Sequence, residues 1–384
     1  MNLEFTERQN AFRTECRAWL DANVPTEDLG SGDTRDGFAN HVVWEKALYA
    51  NGWAAVSWPE EWGGRGADLV EWLIFEEEYY AAGAPARVTQ NGIFLLAPTL
   101  FEFGTDEQKE RILRPMAAAD VLWAQAWSEP NAGSDLANVA STARRVPGGW
   151  RVTGQKTWCT RGMFCHGLYG LFRTDPETAR HKGLSYMMVM FDQEGVSLRG
   201  VERLDGDESF AEVFLDDAFV PDTDVIGDID EGWKVAMSTT SSERGLSLRS
   251  PGRFMATADR LIGLWKAAGR PPAFRQRLAK FYSQAQAYRL YVYRTANRMM
   301  EGGHIGADSS LNKIWWSELD LEMHELAMEL LGENAEVEDG DAHGEPDARW
   351  LKDYMFALAG PIYAGTNEIQ RSIVARRVLG LPRK

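Results

Sequence analysis

Residues 126–136 read Ala-Trp-Ser-Glu-Pro-Asn-Ala-Gly-Ser-Asp-Leu, and residues 154–160 read Gly-Gln-Lys-Thr-Trp-Cys-Thr. The first segment combines small residues with short hydroxyl side chains, so backbone N–H groups and hydroxyls can approach an anionic or ring-shaped ligand closely. In the second segment Trp158 and Thr160 stand two residues apart, so on a strand their side chains share one face. Together the segments predict a surface where an aromatic ring stacks on a ligand and a hydroxyl donates to it.

The residues around these segments alternate in polarity as short strands do. Alternating runs occupy residues 140–146, 150–153, 168–173, 186–191 and 211–215, separated by Gly, Pro and Asp. Gly148-Gly149 is typical of a hairpin turn. These features predict a middle β-domain over residues 122–229, a usual size for an independent core.

Helical periodicity precedes and follows the β-domain. Thr6 with Gln9 and Thr105 with Gln108 form capping boxes at predicted helix starts. We predict an N-terminal helical domain over residues 1–121, with helices at 42–50, 69–82, 93–103 and 106–118 and a Gly/Asp-rich loop at 30–37. Long periodic segments at 232–268, 272–300, 311–331, 346–359 and 369–379 predict a helical bundle over residues 230–384. The predicted fold class is therefore α+β.

Composition and cysteine use exclude several classes of function. The chain has 41 basic and 57 acidic residues, a net charge of −16, which argues against nucleic acid or an anionic membrane as a partner. No apolar run is long enough to span a membrane, and the charged first 20 residues do not resemble a signal peptide. Cys16, Cys159 and Cys165 show no C-x-x-C spacing, which favours reduced thiols and a cytoplasmic location. No His/Cys cluster has the spacing of metal ligands, so no metal is expected.

The two quoted segments resemble the T-E-P-x-A-G-S-D and G-x-K-x-W-I-T motifs of the acyl-CoA dehydrogenase family, with Ser128 in place of Thr and Cys159 in place of Ile. Residues 361–371, Pro-Ile-Tyr-Ala-Gly-Thr-Asn-Glu-Ile-Gln-Arg, are similar to the family's Y-E-G-T-x-x-I-Q-R motif. Three motifs in the family's order are far more specific than one short match. The resemblance implies a helical domain, a middle β-barrel or sandwich and a helical bundle. It also implies FAD as cofactor, an acyl-CoA substrate that is desaturated between Cα and Cβ, and an electron-transfer flavoprotein as partner.

The resemblance also assigns residues to the cofactor and the substrate. Trp158 is expected to pack against the isoalloxazine ring and Thr160 to reach its N5 atom. The other expected FAD contacts are Trp127, Ser128, Gly133, Ser134, Thr366 and Glu368, while Arg270 or Arg275 is expected to replace the arginine that usually reaches the pyrophosphate. The expected substrate contacts are Ser134, Arg244, Tyr363, Ala364 and Gly365.

The catalytic base departs from the family's commonest pattern. The reaction needs a base beside Cα, a flavin beside Cβ and donors to the thioester oxygen. Most members use the Glu of Y-E-G-T, but Ala364 occupies that position here and cannot accept a proton. A minority carry a Glu just before an Arg on the first helix of the C-terminal bundle, and Glu243-Arg244 supplies that pair. Glu243 is therefore the predicted base, although a lone helical glutamate is more often a surface residue. Ala364 retains the backbone N–H that the family uses as an oxyanion donor.

Two further readings remain open. Glu333 stands where the family usually has Gly, close to the expected pyrophosphate, and a Pro-Pro break changes the approach of Arg270. These changes resemble an actinobacterial branch that includes sterol side-chain enzymes, some of which are heterotetramers. The chain could therefore be a partner-dependent, partly structural subunit of a heteromeric acyl-CoA dehydrogenase. In every reading the resemblance implies a homo- or hetero-oligomer, dimeric or tetrameric. The third reading, an acyl-CoA oxidase, differs only in the access of oxygen to the flavin.

Overall fold

The computed structural model describes residues 4–244, 250–303, 306–336 and 349–382, with residues 241–244 and 308 described by their backbone. The helices are α1 (Glu7–Asn23), α2 (Arg35–Ala50), α3 (Leu69–Ala81), α4 (Ala97–Phe103), α5 (Asp106–Ala117), α6 (Gly232–Arg244), α7 (Pro251–Ala267), α8 (Arg275–Met300), α9 (Asp308–Leu331), α10 (Arg349–Ala357) and α11 (Asn367–Ile373). The strands are β1 (Trp123–Gln125), β2 (Thr142–Val146), β3 (Gly149–Cys159), β4 (Gly167–Arg173), β5 (Leu184–Met190), β6 (Val196–Val201), β7 (Phe210–Pro221) and β8 (Val225–Ile226). Along the chain, helices are followed by a sheet and then by further helices, which confirms the predicted α+β class. Within these described ranges no helix is both long and apolar enough to cross a membrane.

Several helix starts follow from their capping residues. The Thr6 hydroxyl accepts the Gln9 N–H while the Gln9 side chain accepts the Thr6 N–H, and both predicted capping boxes are confirmed in this way. The predicted loop over residues 30–37 is wrong at its end, because the Thr34 hydroxyl accepts the Gly37 N–H and starts α2 at Arg35. The predicted helix at 93–103 is a π-helical turn, Asn91–Leu96, followed by α4.

The strands form one mixed sheet in the order β6-β7-β3-β2-β4-β5-β8, with β1 parallel to β4. β2 and β3 pair antiparallel with Val146 opposite Gly149, which confirms the predicted hairpin at Gly148-Gly149. One face buries a core that includes Trp150, Val152 and Phe172. The long pairing of β3 with β7 is interrupted by register shifts between Val152 and Gly154 and between Lys156 and Cys159. The second shift lies inside the second quoted segment, residues 154–160.

The described chain divides into two compact units. One comprises Met1–Val24, Ala67–Ala84 and Arg244–Lys384, so α1 and α3 pack with the helices that follow α6. Glu77 of α3 accepts hydrogen bonds from Arg13 of α1 and Arg289 of α8, which ties these three helices together. The other unit comprises Pro25–Gly66 and Pro85–Glu243 and holds α2, α4, α5, the sheet and α6.

Gly154 is required by a close approach inside the sheet. A Cβ added at this position would lie 2.1 Å from Ser141 Oγ and 2.7 Å from Ser141 Cα. The backbone of residue 141 would therefore have to move, since Ser141 is buried.

We predict that Gly154→Ala lowers the free energy of unfolding by about 1–3 kcal/mol, the usual cost of forcing extra atoms into a packed site. Gly263→Ala is the matched control, because a Cβ there meets nothing within 4 Å inside α7. It should be neutral or should stabilise by up to about 1 kcal/mol. Urea unfolding followed by circular dichroism measures both. Equal effects of the two substitutions would contradict the steric argument.

Candidate active site

Trp158 projects from the sheet at an irregular point of β3. Its side chain is 58% exposed, and its backbone has a φ of +58°, in the left-handed region that large residues rarely adopt. The register shift between Lys156 and Cys159 is a bulge, which re-aims a side chain locally. The alternation predicted for Trp158 and Thr160 is wrong, because β3 ends at Cys159 and Thr160 lies in the following turn. The exposed indole packs edge-to-face on Phe210, with ring centroids 5.9 Å apart.

The segment of residues 126–136 is held against β3 by two direct contacts. The Thr157 N–H donates to the Ser128 carbonyl at 2.9 Å. Next to this bond, the residue after Ser128 pairs with the residue before Thr157: Lys156 Nζ lies 2.7 Å from Glu129 Oε1. The structure thus brings the two sequence motifs together, and both lie in the unit that contains the sheet.

The Glu129–Lys156 ion pair is deeply buried. The side chain of Lys156 has no exposed surface, and its ammonium also donates to the Leu171 carbonyl at 2.7 Å. The carboxylate of Glu129 accepts the N–H groups of Ala140 and Ser141 as well. Burial alone would raise the pKa of Glu129, but the Lys156 ammonium and these donors hold that pKa below its ordinary value. Burial lowers the pKa of Lys156 while Glu129 opposes that shift, and the lowered pKa of Glu129 keeps its carboxylate ionised at neutral pH.

The remaining predicted residues of the first motif differ in exposure. Trp127 and Ser128 are half-buried, whereas Gly133 and Ser134 are exposed. A Cβ at Gly133 would meet nothing within 4 Å, so the backbone there is open to an approaching ligand. An exposed indole, an open glycine and several hydroxyls suit a flat aromatic group that carries phosphates.

A buried chain of hydroxyls leads from Trp127 to α6. Trp127 Nε1 donates to Tyr186 Oη at 3.1 Å, and Tyr186 Oη lies 3.5 Å from Thr239 Oγ1. Thr239 Oγ1 is 2.7 Å from Thr99 Oγ1, which in turn donates to the Leu95 carbonyl at 2.8 Å. An indole can only donate, so Tyr186 accepts from Trp127 and its own proton is available to Thr239. Sequence reasoning missed Tyr186 and Thr239, because nothing local in the sequence marks them.

Glu243 lies in the last turn of α6, four residues after Thr239 and on the same face of the helix. The side chains of Glu243 and Arg244 lie outside the described residues.

The third motif forms a loop and a short helix in the other unit. Ala364 has a φ of +55° and Gly365 a φ of +81°, so two successive residues adopt left-handed conformations. Gln370 stabilises this turn, since its Nε2 donates to the carbonyls of Ala364 and Gly365 at 3.2 Å each. Thr366 caps α11 by accepting the Ile369 N–H. The loop in which Ala364 replaces the family's usual Glu is thus held by several hydrogen bonds.

A buried lysine supports the same loop. Lys313 of α9 is fully buried, and its Nζ donates to the Gly360 carbonyl at 2.8 Å and to Asn367 Oδ1 at 2.7 Å. Tyr363 packs on Trp316 with ring centroids 5.8 Å apart. Glu368 is exposed in the first turn of α11, where backbone N–H groups and then the Thr366 hydroxyl lower the pKa of its carboxyl.

The two arginines expected near the pyrophosphate lie at the turn between α7 and α8. Arg270 has a φ of +59° and is exposed, and Arg275 is the exposed first residue of α8. Glu333 is exposed in a 3-10 turn, Gly332–Glu336. The side chains of both arginines are accessible to a ligand.

An exposed cationic loop beside the first motif was not found from the sequence. Arg180, His181 and Lys182 are exposed between β4 and β5, and Arg180 Nη2 lies 2.8 Å from Asp135 Oδ1, next to Ser134. Arg173 donates to the carbonyls of Thr178, Arg180 and Lys182, which gives the loop a defined shape. In an acidic chain this loop places positive charge locally. Its only sequence signal is one Arg-His-Lys run.

Family models match nearly the whole chain. The N-terminal domain model of acyl-CoA dehydrogenases matches residues 6–120, the middle-domain model residues 124–218, and the C-terminal domain model residues 230–379.

Similar proteins carry the same family name. The chain is 38% identical over 388 residues to the acyl-CoA dehydrogenase IpdE1 of Mycobacterium tuberculosis, covering 97% of this chain and 98% of that protein. It is 37% identical over 398 residues to IpdE1 of Mycolicibacterium smegmatis, with coverage of 97% and 98%. Among solved structures, the Tcur3481-Tcur3483 steroid ACAD aligns with a TM-score of 0.89 at 26% identity over 100% of both chains. The ChsE4-ChsE5 complex of Mycobacterium tuberculosis aligns with a TM-score of 0.86 at 29% identity, again over 100% of both chains.

We predict that Glu129→Gln and Lys156→Met each lower the free energy of unfolding by about 3–5 kcal/mol, because each leaves one buried charge unpaired. The double variant should lose much less than the sum of the two, because it buries no charge. Urea unfolding of the three variants measures the coupling. Additive losses would show that the two side chains do not act as a pair.

The same pair predicts a pH dependence of stability. A carboxyl whose pKa is lower in the folded state stabilises the protein fully above its unfolded pKa, about 4.3, and loses this contribution as the pH falls further. We therefore expect the stability difference between wild type and Glu129→Gln to be constant near neutral pH and to shrink below about pH 4. Urea midpoints measured from pH 7 to pH 3 test this. A difference that grows on acidification would contradict it.

Proposed function

The chain belongs to the acyl-CoA dehydrogenase family, and we propose that it desaturates the CoA thioester of a bulky, steroid-derived acid with Glu243 as the base. Membership makes it an FAD-dependent oxidoreductase that acts on acyl-CoA. Two facts about the sequence carry the residue-level proposal. The third motif has Ala364 where most members have Glu, and a Glu-Arg pair stands in the last turn of α6. The position that most members use for the base cannot accept a proton here.

FAD would be held by the surface that the first two motifs form. Trp158 offers an exposed ring face, and the open backbone at Gly133 admits a phosphate or ribityl group. Trp127, Ser128, Ser134 and Thr160 supply the remaining contacts of this unit in the proposal. Thr366, Glu368 and Arg270 or Arg275 are the further FAD contacts that the family resemblance implies. When bound, FAD supplies the hydride acceptor of the reaction.

The base acts by removing the α-proton of the thioester. Positioned carboxylates contribute about 10²–10⁴-fold as general bases. Glu243 stands one turn after Thr239, whose hydroxyl lies 3.5 Å from Tyr186 Oη and 2.7 Å from Thr99 Oγ1, so these contacts hold the turn that precedes the base. We propose that Arg244 and Tyr363 contact the substrate.

The thioester carbonyl must be polarised for its α-proton to leave. We propose the backbone N–H of Ala364 as one donor, since replacing Glu by Ala removes the carboxylate but not the amide. Gln370 Nε2 donates to the carbonyls of Ala364 and Gly365, which holds the two peptide groups that follow Ala364 in the turn. The loop thus keeps a binding role after losing the catalytic one.

The CoA moiety requires cations, because its phosphates are negative and the chain has a net charge of −16. The loop of Arg180, His181 and Lys182 beside Ser134 and Asp135 supplies them in this proposal.

The acyl group and the partners follow from the similar proteins. The steroid ACAD with a TM-score of 0.89 favours a polycyclic acyl group over a straight chain. An electron-transfer flavoprotein would reoxidise the enzyme, and a cytoplasmic location is part of the same proposal.

A heteromeric assembly is the second reading. The structure of ChsE4 with ChsE5 is a complex of two named chains, and it aligns over the whole of this chain. Glu333 and the rearranged Arg270 turn favour a partner that completes the FAD site. In this reading the chain supplies Glu243 and the partner supplies part of the cofactor contact.

We predict that Glu243→Gln lowers kcat by about 10²–10⁴-fold while FAD content stays unchanged, because the amide cannot accept the α-proton. Exchange of the substrate α-proton with D2O, followed by NMR or mass spectrometry, isolates this step. Glu231→Gln is the control, since Glu231 is exposed just before α6. Undiminished α-proton exchange in Glu243→Gln would remove Glu243 as the base.

We also predict that Arg180→Ala with Lys182→Ala raises KM for the acyl-CoA about tenfold and leaves kcat nearly unchanged, because the lost contacts are equally strong in substrate and transition state. Added salt should shrink the difference. Steady-state kinetics at two ionic strengths test both statements. An unchanged KM would show that the CoA phosphates bind elsewhere.

A further inference from the structure

The backbone is strained at Trp158 and just after Thr160, the two residues expected to contact the flavin ring (the flavin-facing residues). Trp158 has a φ of +58° and Arg161 a φ of +53°, so two bulky residues three apart sit in the left-handed region. Such conformations persist only where the surroundings hold them. Because Thr160 lies between them, its position depends on whatever holds this turn.

Arg161 is anchored through its side chain. Its Nε donates to Asp33 Oδ1 at 2.8 Å and its Nη1 donates to the Arg87 carbonyl at 3.1 Å. Asn91 adds a second support, since its Nδ2 donates to the Thr160 carbonyl at 3.3 Å. The guanidinium therefore fixes the residue that directly follows Thr160.

The other carboxylate oxygen of Asp33 accepts from a second arginine, which lies near the ring that packs on Trp158. Arg203 Nη1 donates to Asp33 Oδ2 at 2.6 Å. The same guanidinium lies 6.0 Å from the ring centroid of Phe210, the ring against which Trp158 packs edge-to-face. Asp33 thus accepts from two arginines: Arg161, which directly follows Thr160, and Arg203, which also pairs with Asp205 and Asp207 and lies near the ring against which Trp158 packs.

The anchor itself is rigid and ionised. The side chains of Asp33, Arg161 and Arg203 are 16%, 17% and 13% exposed. Burial opposes ionisation of Asp33, but the two guanidinium groups outweigh it and lower its pKa to about 2. Arg203 also pairs with Asp207, which accepts from the Ser31 hydroxyl at 2.7 Å and so fixes the loop before α2.

We infer that Asp33 is a positioning residue for the cofactor, because it holds Trp158 and Thr160 in the orientation that binds the flavin ring. The inference rests on the proposed function, since it needs FAD on that surface. The family motifs do not contain Asp33, and it touches neither of the residues that it positions. A purely structural ion pair would stabilise the unit without controlling this turn.

Hydrogen–deuterium exchange of the full-length protein, without and with FAD, separates these roles. In Asp33→Asn we expect the amides of residues 158–161 to exchange about tenfold faster without FAD, because the strained turn opens when its anchor loses charge. The FAD dissociation constant, measured by quenching of flavin fluorescence, should rise by about tenfold as well.

Two controls match the substitution. Asp36→Asn changes an exposed carboxylate three residues along the chain from Asp33, in the first turn of α2. Asp224→Asn breaks a different ion pair of the same unit, in which the buried Asp224 carboxylate lies 2.5 Å from Nη2 of the partly exposed Arg111. Both should leave exchange at 158–161 and the FAD dissociation constant within about twofold of wild type, even where Asp224→Asn lowers Tm. If Asp33→Asn does not fold, Arg161→Lys replaces it, and the same changes are expected.

The outcomes are distinct. Wild-type exchange at 158–161 in the anchor variant, or an unchanged FAD dissociation constant, overturns the positioning role of Asp33. Equal changes in Asp224→Asn overturn it too, because they would reflect general destabilisation. A wild-type protein that takes up no FAD overturns the proposed function, and the cofactor role of Asp33 with it.

Discussion

The buried ion pair between Glu129 and Lys156 is the constraint on which the cofactor surface depends. An ammonium with no exposed surface needs a carboxylate close by, and this one finds it 2.7 Å away on the neighbouring segment. The ion pair fixes how residues 126–136 align with β3. The hydrogen bond from the Thr157 N–H to the Ser128 carbonyl, between the neighbouring residues, supports the same alignment. Because the charges must meet, Trp127 and Trp158 are carried to the same region of the sheet. A buried pair gives little net stability, but it specifies one arrangement strongly.

Around that constraint the chain holds strained turns in place. The bulge turns Trp158 outwards, and Asp33 pairs with Arg161, which lies in the turn that follows, and with Arg203. In the other unit Lys313 and Gln370 hold the left-handed turn at Ala364. Each turn needs polar side chains from distant parts of the sequence. The bonds that hold the Ala364 turn come from Gln370 and Lys313, so the turn needs no carboxylate at position 364.

The sequence predicted the order of helices and strands because hydrophobic periodicity and capping are local. Both capping boxes and the Gly148-Gly149 hairpin are confirmed for that reason. The predicted strand face shared by Trp158 and Thr160 is wrong, because a bulge depends on the partner strand and not on the residues themselves. Tyr186, Thr239, Asp33 and the loop at 180–182 were missed because their roles arise from contacts between residues far apart in sequence. Glu243 stays a prediction, because it rests on the family pattern.

The central claim is that this chain desaturates an acyl-CoA using FAD held by the two quoted motifs. Its most direct test is the visible spectrum of the full chain expressed alone, before and after anaerobic addition of a panel of acyl-CoA thioesters that includes steroid-derived acids. The account predicts a flavin absorbance near one FAD per site, bleached by at least one bulky thioester. A protein that holds FAD yet stays unbleached by every thioester, alone and with a partner chain, would contradict it.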